Sequence, residues 1–144
     1  MEADRSGNNK VNLKKKVKKC VIIDTNVLMY VYLARVDIFG ELKARGYFKF
    51  LVPDCVVKEL EVLRDKAGGK YSRAANFALH LIEKEKIEVI KSFGGKGTDE
   101  KLLELSKRND CVLLTNDREL KKKARERGIR VGYVREMNRL FLED

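Results

Sequence analysis

Two aspartates stand just after short apolar runs that are typical of buried strands. Asp24 follows the segment CVII (residues 20–23), and Asp117 follows the segment CVLLT (111–115) with one residue between. The carboxyl ends of parallel strands open onto one crevice, so neighbouring strands would bring both carboxylates into it. Each aspartate taken alone also fits a simpler role as the N-cap of the helix that follows it.

Helical periodicity adds two more acidic side chains. In the helix predicted over residues 54–67, Glu59 falls at the edge of the apolar stripe and can face inward. In the helix predicted over residues 98–109, Asp99 lies on the apolar side, with Thr98 expected as the helix cap. An acid in the first turn is also favoured by the helix dipole, which is the alternative explanation of Asp99.

Four inward-facing carboxylates require a counter-charge. A buried carboxylate is costly unless it is paired or bound to metal, and no basic interior segment is available to neutralise these. Carboxylate oxygens are the ligands that hard divalent cations prefer. The sequence therefore predicts a divalent-metal site formed by Asp24, Glu59, Asp99 and Asp117.

The elements that must position these residues alternate along the chain. Apolar runs at 20–23, 48–52, 87–90, 111–115 and 129–134 predict strands. Helical periodicity predicts helices at 26–33, 36–45, 54–67, 71–86, 98–109, 117–127 and near 136–142. This alternation indicates an α/β fold with a roughly five-stranded parallel sheet and helices on both faces.

Length and composition set the organisation of the chain. A chain of 144 residues fits one domain, which at this size buries about 70% of its unfolded surface and folds without metal or disulfide. Residues 1–19 hold seven basic and two acidic side chains, which predicts a disordered basic tail ahead of a domain at 20–144.

The cysteines and the apolar runs bear on the compartment. Cys20, Cys55 and Cys111 are odd in number and form no C-x-x-C pair, which predicts reduced core residues in a cytoplasmic protein. No run approaches the roughly 20 apolar residues of a membrane helix, and the first residues do not form a signal peptide. We expect a soluble protein with no membrane partner.

The charge pattern points to a polyanionic partner. The net charge is +10, and a second basic concentration lies in residues 118–130. Such a run is also common on the solvated face of a helix, so the charge alone leaves both explanations open.

Three segments resemble, in order and spacing, the sequence blocks of the PIN-domain ribonucleases. They are VIIDTNVLM, VPDCVVKELEVL and TDEKLLELSKRNDCVLLTNDRELKKKARERGIRV, within residues 20–134. The compact form looks most like the archaeal branch allied to VapC-type toxins and to small-subunit ribosomal-RNA processing nucleases.

This resemblance implies a three-layer PIN-like fold and Mg²⁺- or Mn²⁺-dependent cleavage of single-stranded RNA. The four acids would form the site, Thr115 would be the hydroxyl beside the last acid, and Asn26 would be the polar companion of the first. With the charge pattern, it predicts that basic side chains hold the RNA backbone, namely Lys96, Arg118, Lys121, Lys122 and Arg125.

The sequence leaves two other functions to consider, and it also suggests partners. An aspartyl-nucleophile phosphatase would need a second aspartate where Asn26 stands. A non-catalytic RNA-binding scaffold is the stronger alternative, although the full acidic set argues against it. The branch suggests an antitoxin or a ribosome precursor as a partner, and the apolar segments 27–33 and 36–42 predict a homodimer.

Overall fold

A computed structural model describes residues 19–92, 96–135 and 139–143. Its strands are β1 (Cys20–Ile23), β2 (Lys49–Pro53), β3 (Glu88–Ile90), β4 (Val112–Leu114), β5 (Val131–Arg135) and β6 (Arg139–Leu142). Its helices are α1 (Thr25–Leu33), α2 (Ile38–Ala44), α3 (Asp54–Lys66), α4 (Gly69–Lys84), α5 (Thr98–Asn109) and α6 (Arg118–Glu126).

The strands form one mixed sheet in the order β3-β2-β1-β4-β5-β6. All neighbouring pairs are parallel except β5 with β6. The chain order reverses between β1 and β4, which are hydrogen-bonded neighbours, so a topological switch point lies between them. The predicted α/β architecture is confirmed, and the two strands that precede Asp24 and Asp117 are adjacent.

The central strands are buried because helices cover the sheet. Ile22 and Ile23 in β1 and Leu113 and Leu114 in β4 have no exposed surface. Continuous apolar runs of this kind are typical of parallel strands covered on both faces. Helix α5 packs against β1, β2 and β4, while α1 and α3 pack with α4. The site therefore stands on a rigid apolar base.

The end of the chain differs from the prediction. The predicted helix near 136–142 is wrong over residues 139–142, which form strand β6 antiparallel to β5; residues 136–138 lie outside the described residues. Leu140 is buried between exposed Arg139 and half-exposed Phe141, and this alternation is the pattern of a strand. The sheet thus has six strands instead of about five.

Gly132 explains how β6 can pack so closely beside β5. A Cβ atom at Gly132 would lie 2.6 Å from Cδ2 of Leu142 and 3.0 Å from Cδ1 of Leu114. The first distance is shorter than real Cβ contacts, and the second is tighter than most of them. The glycine therefore leaves the space that these two leucines fill.

Two of the three cysteines are not reduced. Cys20 and Cys111 form a disulfide, with Cα atoms 4.9 Å apart, so the prediction of reduced thiols is wrong for this pair. The reason is the pairing of β1 with β4, which sets the two residues side by side although they are 91 positions apart. Cys55 is a free, partly buried thiol.

Two further predictions concern the chain as a whole. Among the described residues, no helix is long and apolar enough to cross a membrane. The predicted basic tail, residues 1–19, lies outside the described residues except for Lys19.

Candidate active site

Asp24 lies directly after β1, where it caps helix α1. Its Oδ1 accepts a hydrogen bond from the Thr25 amide at 2.7 Å, and its Oδ2 accepts one from the Thr115 hydroxyl at 2.6 Å. Its own amide donates to the Leu114 carbonyl at 3.0 Å. Asp24 is therefore fixed by its backbone to β4 and by its side chain to Thr115, the residue that follows β4.

Thr115 joins the ends of the two central strands. This fully buried residue follows β4; its hydroxyl donates to Asp24 and accepts from the Asp117 amide at 3.1 Å. Asp117 caps helix α6, with Oδ1 accepting from the Leu120 amide at 3.0 Å. Both aspartates are therefore helix N-caps, and both also face the same crevice. The two interpretations of their position, as helix caps and as crevice residues, are compatible.

Glu59 extends from α3 and connects three helices. Its Oε1 accepts from the Thr25 hydroxyl at 2.6 Å, and its Oε2 accepts from the Thr98 hydroxyl at 2.7 Å. Thr98 is the first residue of α5, so its hydroxyl holds Glu59 and does not cap the helix as predicted; the N-cap position belongs to Gly97. The sequence pattern does not predict these two threonine contacts, although each threonine adjoins a predicted acid.

The electrostatics of the site reflect crowded negative charge. Burial raises the pKa of Asp24, and the carboxylates of Asp99 and Glu59 raise it further. Hydrogen bonds from Thr115 and Thr25 lower this pKa, but they do not offset the effect of burial. Desolvation also raises the pKa of Asp99, with the Asp117 carboxylate as the next cause. Neighbouring carboxylates therefore disfavour the ionisation of Asp24 and Asp99.

All four predicted acids line one open cleft of about 530 Å³. Only Asp24 is buried there, whereas Glu59, Asp99 and Asp117 are exposed, so the predicted burial of four carboxylates is wrong for these three. Its walls are formed by Asp24, Thr25, Asn26, Lys58, Glu59, Val62, Leu63, Thr98, Asp99 and Asp117. Asn26 is exposed there, and its side chain hydrogen-bonds to none of the described residues. Within the described ranges, no three acidic, histidine or cysteine side chains are already arranged to hold a metal ion.

Comparison with known proteins identifies the family. Residues 21–137 match the family described as PIN like domain. The chain belongs to this family. It is 46% identical over 143 residues to Ribonuclease VapC9 of Archaeoglobus fulgidus, covering 99% of this chain and 98% of that protein.

Two more similarities support the PIN-like assignment. The rRNA-processing protein fcf1 of Schizosaccharomyces pombe is 31% identical over 110 residues, which is 74% of this chain and 53% of that protein. The solved structure of the PIN domain endonuclease Utp24 matches with a TM-score of 0.67 and 26% identity, covering 86% of this chain and 90% of that chain.

The predicted RNA-binding residues of this PIN-like domain differ in their surroundings. Lys96 forms an ion pair with Glu104 at 3.5 Å, and Arg125 forms one with Glu143 at 2.6 Å. Among the described residues, Arg118 and Lys122 are exposed and have no ion pair, whereas Lys121 lies over the ring of Tyr133 at 4.3 Å. None of these basic residues lines the cleft, and their role in binding RNA stays a prediction.

Proposed function

We propose that this PIN-like protein is a divalent-metal-dependent ribonuclease that cleaves single-stranded RNA. The observation that carries the proposal is the convergence of Asp24, Glu59, Asp99 and Asp117 on one open cleft at the switch point of the sheet. The relatives support it, because one is named a ribonuclease, another an rRNA-processing protein and the structural neighbour an endonuclease.

The donor set fits a hard divalent cation such as Mg²⁺ or Mn²⁺. The side chains are carboxylates and hydroxyls. The pKa values of Asp24 and Asp99 are raised by burial first and by neighbouring carboxylates second, and a cation would offset both effects. Mg²⁺ keeps several of its waters and needs few direct protein ligands. Asp24 and Asp117 would hold such a cation directly, and Glu59 and Asp99 would act partly through water.

The protein groups around the acids hold them in place. Thr115 fixes Asp24 and the start of α6 with one hydroxyl, while Thr25 and Thr98 each hold one oxygen of Glu59. A bound cation would supply Lewis-acid chemistry, lowering the pKa of a bound water and offsetting charge on the phosphate. The cleft is open, so an extended strand would have access to these carboxylates.

Labelled, unstructured RNA incubated with Mn²⁺ or Mg²⁺ tests the proposal. We expect Asp24→Asn, Glu59→Gln and Asp117→Asn to lower the cleavage rate by about 100-fold or more, and EDTA to abolish cleavage. Glu61→Gln is the matched control, because Glu61 is an exposed acid on the same helix as Glu59 but does not line the cleft. Cleavage that survives EDTA, or that all variants retain, would show that the site is wrongly assigned.

The same assay addresses the alternative of a non-catalytic scaffold. A scaffold would bind RNA but would not cleave it with either metal, and Asp24→Asn would leave its binding unchanged. We favour the enzyme because all four acids are present and converge on one cleft.

The biological role is proposed from the relatives. Similarity to Ribonuclease VapC9 extends over the whole length of both chains, whereas this chain spans 53% of fcf1. We therefore favour a toxin-type ribonuclease with an antitoxin partner over a nuclease that matures ribosomal RNA in a precursor. A small antitoxin reading frame next to the gene, whose product copurifies and inhibits cleavage, is the expected result; activity confined to ribosome precursors would favour maturation.

We also propose a homodimer, through the predicted segment 27–33 but not through segment 36–42. The apolar residues of segment 36–42, Ile38, Phe39 and Leu42 among them, are buried and belong to the core. Apolar surface remains on α1 and α4, where Tyr32 and Phe77 pack with ring centroids 5.4 Å apart and stay partly exposed. Sedimentation at tens of micromolar should give a dimer; a species of about 17 kDa alone would contradict it.

A further inference from the structure

The β5–β6 hairpin carries aromatic and basic side chains on one face. Antiparallel pairing places Tyr133 opposite Phe141 and Arg135 opposite Arg139. Side chains two positions apart on a strand share a face, so all four lie on the same side of the hairpin. The intervening Leu140 is buried toward the core.

These side chains and one lysine of α6 form a continuous row. The rings of Tyr133 and Phe141 stack, with centroids 6.2 Å apart and an interplanar angle of 18°. The ammonium of Lys121 lies 4.3 Å from the Tyr133 centroid, and the guanidinium of Arg135 lies 5.0 Å from that of Phe141. We call Lys121, Tyr133, Phe141 and Arg135 the stacking row.

The stacking row is accessible and positively charged. Phe141 is 39% exposed, and Arg135 and Arg139 are exposed beside it. Burial lowers the pKa of Lys121. Three neighbouring arginines, Arg125, Arg118 and Arg135, lower this pKa further, whereas Glu143 raises it. Positive charge is therefore concentrated around two stacked rings, of which Tyr133 packs partly against the core and Phe141 is exposed.

The stacking row is also linked, through the backbone, to residues 115–117, which connect β4 with α6 and include Asp117. Asn116, between Thr115 and Asp117, pairs with the Val134 backbone through both ends of its amide, at 3.2 and 2.8 Å. The amide of Lys121 donates to the Asp117 carbonyl at 2.9 Å, which places Lys121 one helical turn beyond Asp117. A strand that leaves the cleft past Asp117 would therefore meet the stacking row next.

We propose that the stacking row is a subsite for unpaired bases of the RNA strand that flanks the scissile phosphate. This inference rests on the proposed function and specifies its substrate as single-stranded RNA that extends past the cleft. Bases stack on aromatic faces and on guanidinium planes, while neighbouring cations contact the phosphates. The combination of rings and cations fits this ligand better than an apolar protein segment.

Binding without metal tests the subsite separately from cleavage. In EDTA, fluorescence anisotropy would compare a labelled oligouridylate with the same oligomer built from abasic nucleotides. We expect Phe141→Ala to weaken binding of the oligouridylate by roughly 5-fold or more, and to leave binding of the abasic oligomer unchanged. Phe48→Ala is the matched control, because Phe48 is 69% exposed at the amino end of β2, away from the cleft.

A fluorescence readout follows from the composition of the chain. The sequence contains no tryptophan, so Phe141→Trp would be the sole indole emitter. Stacking of a base should quench its emission when the oligouridylate is added, while the abasic oligomer and an acidic peptide should not. Equal quenching by the acidic peptide would overturn the proposal in favour of a protein partner.

The outcomes separate this proposal from the proposed ribonuclease activity. If wild type cleaves RNA but Phe141→Ala binds the oligouridylate as tightly as wild type, the subsite is wrong and the activity stands. If wild type does not cleave RNA, the activity is wrong while the binding comparison still decides the subsite. Arg135→Gln, at an exposed position, replaces Phe141→Ala if the latter does not fold, with the same expected loss for the oligouridylate.

Discussion

Asp24 is the only buried carboxylate among the described residues, with 7% of its surface exposed. Burial raises its pKa above the ordinary value of 3.8, so the native state takes up a proton more readily than the unfolded chain. Above the raised pKa, both states are ionised and the full cost of the buried charge is present. This cost disappears as the pH falls through the raised pKa toward 3.8.

We therefore predict that Asp24→Asn stabilises the metal-free protein while abolishing cleavage. Asparagine is an equally good N-cap, and each unit of pKa shift that it removes corresponds to about 1.4 kcal/mol. Thermal unfolding in EDTA should show a Tm a few degrees above wild type at pH 7 and a smaller difference at lower pH.

Asp65→Asn provides the control for that comparison. Asp65 is exposed and its pKa is lowered, first by a hydrogen bond from Arg64, so its replacement should bring no gain in stability. A wild-type protein more stable than Asp24→Asn in EDTA at pH 7 would contradict the cost assigned to the buried charge.

The sequence predicts the acids of the site better than it predicts the groups that hold them. Asp24 and Asp117 were found because they end apolar runs, and Glu59 because of its helical phase. The bonds from Thr25 and Thr98 to Glu59 depend on how α1, α3 and α5 meet. No local pattern encodes that packing.

At the scale of elements, the start of α6 combines structural and chemical roles. The Asp117 carboxylate caps the helix through the Leu120 amide, and a capping side chain typically contributes about 1 kcal/mol relative to alanine. We predict that Asp117→Ala lowers the free energy of unfolding by roughly that amount, whereas Asp117→Asn keeps it close to the wild-type value.

Both Asp117 variants should lose cleavage, because neither provides a carboxylate. Urea unfolding and the RNA assay, run on the same preparations, measure the two effects. Equal stabilities for the alanine and asparagine variants would mean that the side-chain cap does not stabilise the fold. Cleavage retained by either variant would show that Asp117 is not needed for activity.

Strand β6 shows why periodicity alone predicts a helix near residues 136–142 where residues 139–142 form a strand. Arg139, Leu140, Phe141 and Leu142 form too short a run to separate a strand from a helical turn by periodicity. Pairing with β5 and the space left by Gly132 decide the outcome, and both are tertiary. The longer periodic segments do form helices: residues 98–109 have the predicted bounds, and the helices predicted at 54–67 and 71–86 are shifted by one or two residues.

In the molecule as a whole, the two ends of the central strands β1 and β4 have different roles, one in the candidate site and one in stability. The carboxyl ends of β1 and β4 carry the acidic cleft, and their amino ends are joined by the Cys20–Cys111 disulfide. A cross-link that closes a long loop stabilises the fold mainly by restricting the unfolded chain. The disulfide therefore strengthens the strand pair that the site needs without touching the cleft.

Positive and negative charges lie on different parts of the molecule: the exposed face of α6 is basic, and the adjacent cleft is acidic. Binding of RNA through phosphate contacts should release counterions, giving a log–log slope against salt near −0.7 for each phosphate neutralised. The cleavage rate at saturating RNA should depend far less on salt, since it reports on the cleft.

We predict that Arg118→Gln combined with Lys122→Gln weakens RNA binding for all sequences and flattens the slope by up to about 1.4. Arg125→Gln should have a smaller effect, because Glu143 already pairs with that guanidinium.

The Asp117→Asn variant should bind RNA at least as tightly as wild type in EDTA, because the substitution removes negative charge beside the bound strand. Its cleavage rate should collapse. Anisotropy across a salt series and single-turnover cleavage measure these quantities. An unchanged slope for the double variant, or weaker metal-free binding by a folded Asp117→Asn, would contradict this separation of binding from chemistry.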